Sequence, residues 1–256
     1  MRKLLGFCVL VVLISSSNGY GQSTNKEAQE AFEKGSKAYE NKDFDSAVIY
    51  YTKAIEIKPN SAVYYTRGDV YRKLKKYPEA IADYTKAIEL DPKFFAFYDN
   101  RGDVYRDLNK YLEAIKDYTK VIELDPKYAG AYNSRGYMYD ELKKYPEAIA
   151  DYTKAIELDP QYVEAYANRG RSHKEFKKYP EAIADYTKAV ELDPRYVAAY
   201  IGRGVAYNDL KKHPEVVADA TKVIELAPQY WGGHFERGLA YSNLKKYPEA
   251  IKDFTK

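Results

Sequence analysis

Three histidines, one cysteine and a recurring arginine and aspartate are the groups in this chain from which chemistry could be built. His173, His213 and His234 could act as general bases or metal ligands, and Cys8 as a nucleophile or ligand. Their surroundings argue otherwise. There is no metal-ligand spacing motif, no serine, histidine and acid set at a strand-to-helix turn, and no glycine-rich phosphate loop. Each histidine also replaces an aromatic at a repeated position, Tyr139, Tyr145 and Tyr132 being the respective counterparts, so packing accounts for all three. The sequence predicts no catalytic, cofactor-binding or metal-binding residue, and no enzyme.

Arginine and aspartate recur with a fixed interval. Arg67, Arg101, Arg135, Arg169, Arg203 and Arg237 are each followed sixteen residues later by Asp83, Asp117, Asp151, Asp185, Asp219 and Asp253. Where the pattern fails, with Lys34 and Tyr50, it loses both members together. This predicts structural ion pairs, joining two helices of one unit or two neighbouring units.

The elements that carry these pairs repeat as well. A glycine follows each arginine, and with Gly35 the series Gly68, Gly102, Gly136, Gly170, Gly204 and Gly238 shows separations of 33 once and 34 five times. The short interval comes from a one-residue deletion near Asn60, in a turn. Tyr132, Gly136 and Tyr139, like Ala148, Tyr152 and Ala155, are spaced four and three apart, which places each triplet on one helical face. Lys143-Lys144-Tyr145-Pro146 breaks the pattern between them, with lysines suited to a helix end and proline to the first turn of the next helix. A glycine inside a helix costs about 1 kcal/mol against alanine, so its recurrence implies close approach to the partner helix at Ala148 and its equivalents, with aromatics filling the adjoining space. This explains why tyrosine is so abundant, at 29 residues.

The series Tyr132, Gly136, Tyr139, Ala148, Tyr152, Ala155 and Pro160 resembles the tetratricopeptide repeat, and the likeness runs from about residue 25 to Lys256. The pentatricopeptide repeats, which read RNA, lack this glycine, tyrosine and proline set. Departures are local: Ala31, Ala38, His173, Val216, Ala220 and His234. The resemblance implies an all-α fold, a right-handed superhelical α-solenoid of antiparallel helix pairs with about seven units over 28–60, 61–94, 95–128, 129–162, 163–196, 197–230 and 231–256, the last incomplete. The final repeat stops partway through its second helix, with Ile251 and Phe254 facing an open end; this implies either a longer array or packing on a partner or another copy.

Tetratricopeptide proteins bind protein segments on a concave face lined by the first helix of each unit. Carried onto this chain, that face holds Tyr65, Asp69, Arg72 and Lys73, then Asp99, Asp103, Arg106 and Asp107, then Asn133, Tyr137, Asp140 and Glu141. Glu164, Arg171, Lys174 and Glu175 follow, and after them Ile201, Val205, Asn208, Phe235, Leu239 and Asn243. An acidic middle and an apolar end suit an extended segment with lysine or arginine followed by bulky apolar residues. The resemblance implies a protein-interaction scaffold with no cofactor. A structural component of an envelope assembly, acting by self-association or edge packing, is the alternative, and an accessory subunit of an enzyme complex is not separable from the first. The lysine and arginine clamp of the chaperone-binding members has no counterpart at Ala62, Ala96, Gly130, Glu164, Ala198 and Gly232.

Charge and composition set the remaining bounds. The 256 residues are 45% hydrophobic and 31% charged with a net charge of +3, a globular balance that does not call for nucleic acid. Met1-Arg2-Lys3, the apolar run Leu4–Ile14 and the small residues through Gly21 form a secretory pattern. The run is shorter than the ~20 residues of a membrane span, so residues 1–21 read as a signal peptide of a secreted or periplasmic protein. An uncleaved anchor is the lesser alternative. The preferred cut precedes Gln22, with Ser17 and Gly19 as other sites. Cleavage removes Arg2, Lys3 and Cys8, leaving a chain near +1 with no disulfide to stabilise it. Lysine pairs such as Lys143-Lys144 inside units, and acids such as Glu157 and Asp159 between them, predict one basic and one acidic edge. Solvated turns explain these edges, as would docking on an anionic surface.

Overall fold

The computed structural model describes residues 19–256, with side chains from residue 23 onward. The leader expected over residues 1–21 lies outside the described residues as far as position 18, and Cys8 with it. The described chain is all-α, with 14 helices, none long and apolar enough to cross a membrane.

Two compact units divide it. The first, through Pro126, contains α1 (Gly19–Glu40), α2 (Phe44–Ile57), α3 (Ser61–Lys73), α4 (Tyr77–Leu90), α5 (Phe95–Asp107) and α6 (Tyr111–Leu124). The second, from Lys127, contains α7 (Ala129–Glu141), α8 (Tyr145–Leu158), α9 (Val163–Glu175), α10 (Tyr179–Leu192), α11 (Val197–Asp209), α12 (His213–Leu226), α13 (Trp231–Asn243) and α14 (Tyr247–Phe254). Within each unit, every odd-numbered helix packs on the even one that follows, and each pair stacks on the next.

Local sequence explains the helices. In α8, Pro146 and Glu147 occupy the first turn, and Ala148, Asp151, Tyr152 and Ala155 are buried along one stripe. The turn between α7 and α8 is a Schellman closure: Lys144 N–H donates to Tyr139 C=O at 2.8 Å and Lys143 N–H to Asp140 C=O at 2.8 Å. Closure needs a left-handed residue, and the chain uses lysine where glycine would be strain-free: Lys42, Lys75, Lys143, Lys177, Lys211 and Lys245 all have φ between 58° and 61°.

The recurrent glycines press chiefly on a ring rather than on the alanine the spacing suggested. A Cβ on Gly136 would stand 3.0 Å from Tyr152 Cε1 and 3.3 Å from the Ala148 carbonyl. Gly68 and Gly102 face Tyr84 and Tyr118 in the same way. These tyrosines are fully buried, and side chains of this size contribute about 1.5–3 kcal/mol each by leaving water.

The six arginine–aspartate pairs form within one helix pair, at 2.6–2.8 Å. Each is two-pronged; Arg203, for example, donates from Nε and Nη2 to Asp219 at 2.9 and 2.7 Å. The remaining prong reaches backward: Nη1 of Arg67, Arg101, Arg169, Arg203 and Arg237 bonds the hydroxyl of Thr52, Thr85, Thr153, Thr187 and Thr221 on the preceding pair. The ion pair is therefore the one within a unit, and the contact with the preceding pair is a hydrogen bond to a neutral hydroxyl. Packing alone does not describe two of the histidines, since His173 and His234 stand 3.0 Å from Asp185 and Asp253 and join those pairs.

Candidate functional site

In the first unit, helices α3 and α5 bring the expected residues into a closed polar network. Tyr84 donates to Asp69 at 2.6 Å, Asn100 to Tyr65 at 2.6 Å, and Arg72 to both Asn100 and Asp103, at 3.2 and 3.0 Å. Arg106 and Tyr118 also donate to Asp103, at 2.8 and 3.0 Å, and Arg106 bonds Asp107 as well. Asp103 therefore spends its charge on two arginines of its own unit. Arg72 reaches Asp103 across adjacent helices, which chain spacing alone did not show, while Arg106 pairs with Asp103 and Asp107 of its own helix.

In the second unit, α7 and α9 repeat the theme with other groups. Asp140 is buried, accepts from Ser172 Oγ at 2.7 Å and lies 2.7 Å from Arg171 Nη2, off the line of a hydrogen bond. Burial pushes its carboxyl above the usual range, more than Ser172 and Arg171 pull it down. Arg171 also stacks on Tyr137 at 4.9 Å, and Asn168 bonds Asn133 at 3.1 Å. Glu141 and Asn208 are exposed.

Helices α11 and α13 carry the apolar end. Trp231, Phe235 and Leu239, four residues apart, form one exposed stripe at 72%, 43% and 39% exposure. Trp231 and Phe235 meet edge to face at 5.6 Å. Beside them lies a pocket of about 240 Å³, lined by Ile201, Gly204, Val205, Val216, Ala220, Trp231, Phe235 and Glu236 among others. Burial raises the Glu236 carboxyl above its usual range, and it pairs with no group among the described residues. Ile201, Val205 and Phe235 were expected on this face; the pocket, Trp231 and Glu236 were not. The readable signal was Ala220, where other repeats carry an aromatic, combined with an unchanged Gly204.

Models of the tetratricopeptide repeat match residues 34–61, 61–94, 83–116, 129–162 and 163–196, and a TPR repeat model matches 102–142. Together they extend without a break from 34 to 196. The chain is similar to small glutamine-rich tetratricopeptide repeat-containing protein 2 of Saccharomyces cerevisiae, with 33% identity over 76 residues. That match takes in 29% of this chain and 22% of the yeast protein, under a quarter of its length. A tetratricopeptide repeat protein from Parabacteroides merdae superposes with a TM-score of 0.73 at 25% identity, covering 90% of this chain and 91% of that one. YrrB, described as a TPR protein with an unusual peptide-binding site, shares the fold with a TM-score of 0.60 at 23% identity, over 77% of this chain and 97% of its own.

Proposed function

Because this chain belongs to the tetratricopeptide repeat family, whose members generally act as protein-interaction scaffolds, we propose that it is a non-enzymatic scaffold holding a protein segment on its first-helix face. The observation that carries this reading is the exposed stripe of Trp231, Phe235 and Leu239. Three large apolar side chains at helical spacing leave a face that association would remove from water. The polar network on α3 and α5 offers hydrogen-bonding groups in the first unit. The basic start and short apolar run of residues 1–21 support a secreted or periplasmic location.

Affinity capture from an extract of the secretory compartment tests the proposal. A partner retained by the protein should be lost when Trp231, Phe235 and Leu239 are all changed to alanine with helix content intact. Equal capture by that variant would sink the reading. Self-association is the second reading, since a second copy would cover the same exposed stripe. Sedimentation equilibrium separates them, since only the second predicts a mass that rises with concentration.

A further inference from the structure

The pocket between α11, α12 and α13 has the place of a missing side chain. In the fifth repeat, Tyr186 fills the corresponding space, its ring against Gly170 and Gly202. Thirty-four residues on, Gly170 becomes Gly204, Tyr186 becomes Ala220, and Gly202 becomes Glu236. The glycine that makes room for a ring is retained while the ring is gone: a Cβ on Gly204 would meet only Asp219 Cβ, at 3.7 Å, whereas one on Gly170 would meet the Tyr186 ring at 3.2 Å.

We infer that this hole receives one aromatic side chain of a partner segment, a phenyl or phenol ring carried next to a lysine or arginine. The inference rests on the scaffold reading above and specifies what that scaffold recognises. Volume supports the ring, because an apolar cavity of about 150 Å³ is enough to take up benzene and this one measures about 240 Å³. The lining supports it as well: Ile201, Val205, Val216 and Val223 give an apolar wall, and Trp231 and Phe235 stand at the rim. Charge complementarity supplies the neighbour. Glu236 is the one ionisable carboxylate on the lining, unpartnered among the described residues, and the exposed face of Trp231 beside it also attracts a cation.

Trp231 is the only tryptophan of the chain and reports the test directly. Its emission, excited where tyrosine does not absorb, is followed while the purified protein is titrated with acetyl-Lys-Tyr-amide, acetyl-Lys-Ala-amide and acetyl-Ala-Tyr-amide. The first should give a saturable change. The alanine analogue should bind at least about tenfold more weakly for want of a buried ring, and the analogue without the cation about threefold more weakly. Glu236→Gln should erase the threefold difference and keep the tenfold one. Ala220→Tyr should abolish binding, because a ring of the chain's own then occupies the hole. Ala220→Leu, a smaller apolar filling, should weaken binding and raise the unfolding temperature. Absence of a saturable response, equal response to the two lysine peptides, or full binding by both filled variants would overturn the inference. So would a change in Trp231 emission with protein concentration alone that the filled variants lack, which would make a second copy the occupant. The two proposals fail separately. A captured partner indifferent to Ala220→Leu keeps the scaffold and overturns the pocket, whereas peptide binding by a protein that captures no partner supports the pocket and removes the scaffold.

Discussion

Changing Asp151 to asparagine strands a guanidinium whose two donors now reach that carboxylate at 2.8 Å each. The Asp151 and Arg135 side chains are 9% and 18% exposed, so neither charge is well solvated. Removing one partner of a fully buried pair costs about 3–5 kcal/mol; the amide oxygen left behind and the residual exposure of Arg135 lower this to about 2–3 kcal/mol. Arg135→Gln strands the carboxylate instead and should cost about as much. In the double variant no charge remains and two amides face each other, so its cost should fall short of the sum by about 2 kcal/mol. A global melt gives the direction of such a change but not its local size, because each repeat leans only on its neighbours. Hydrogen exchange of the amides in α7 and α8 reads the local opening free energy instead. Single-variant costs that add to within about 0.5 kcal/mol would refute the pairing argument.

The glycines should diverge. Gly136→Ala drives a Cβ against the Tyr152 ring and a backbone carbonyl and should destabilise by about 1–3 kcal/mol, while Gly204→Ala makes only an ordinary contact with Asp219 Cβ at 3.7 Å and should stabilise by about 1 kcal/mol through helix propensity; paired urea titrations decide. Lys143→Gly should stabilise by about 0.5–1 kcal/mol by relieving a left-handed residue, and a melting temperature that falls instead would contradict it. Burial pushes the Asp253 carboxyl up, but Arg237 and His234 together outweigh it and hold the group below its usual range. A depressed folded-state value means stability that is present above the ordinary carboxylate pKa and is lost as pH falls through the depressed one. Asp253→Asn should therefore flatten that acid limb in melting temperature against pH, and an unchanged limb would count against the assignment.

Reading the sequence found what recurs, because recurrence carries its own controls. The first repeat, where Lys34 and Tyr50 replace both members at once, pointed to a pairing of Arg135 with an aspartate and left open whether it lay within a unit or between units. What depended on contacts between repeats was not readable. Spacing put Asp99, Asp103 and Asp107 on one helical face but gave no distance from Arg72 to Asp103, so the pairing of that acid with the neighbouring helix was not readable. The pocket was hidden for a related reason: Ala220 looked like a tolerable departure until Gly204 was seen to face the space a ring would occupy. Lysine at the left-handed turn was missed because propensity assigns that position to glycine.

Within each unit, the backward prong from Arg67, Arg101, Arg169, Arg203 and Arg237 to a threonine of the preceding pair is an interchangeable coupling. A repeat that carries both residues can offer a hydroxyl to its successor and a guanidinium donor to its predecessor. A whole 34-residue module could then be duplicated or lost in frame and still find its bonding partners on both sides, whereas a single residue inserted within a helix would put every group downstream in that helix about 100° out of phase. Length is cheap for such a chain to vary, and register is not.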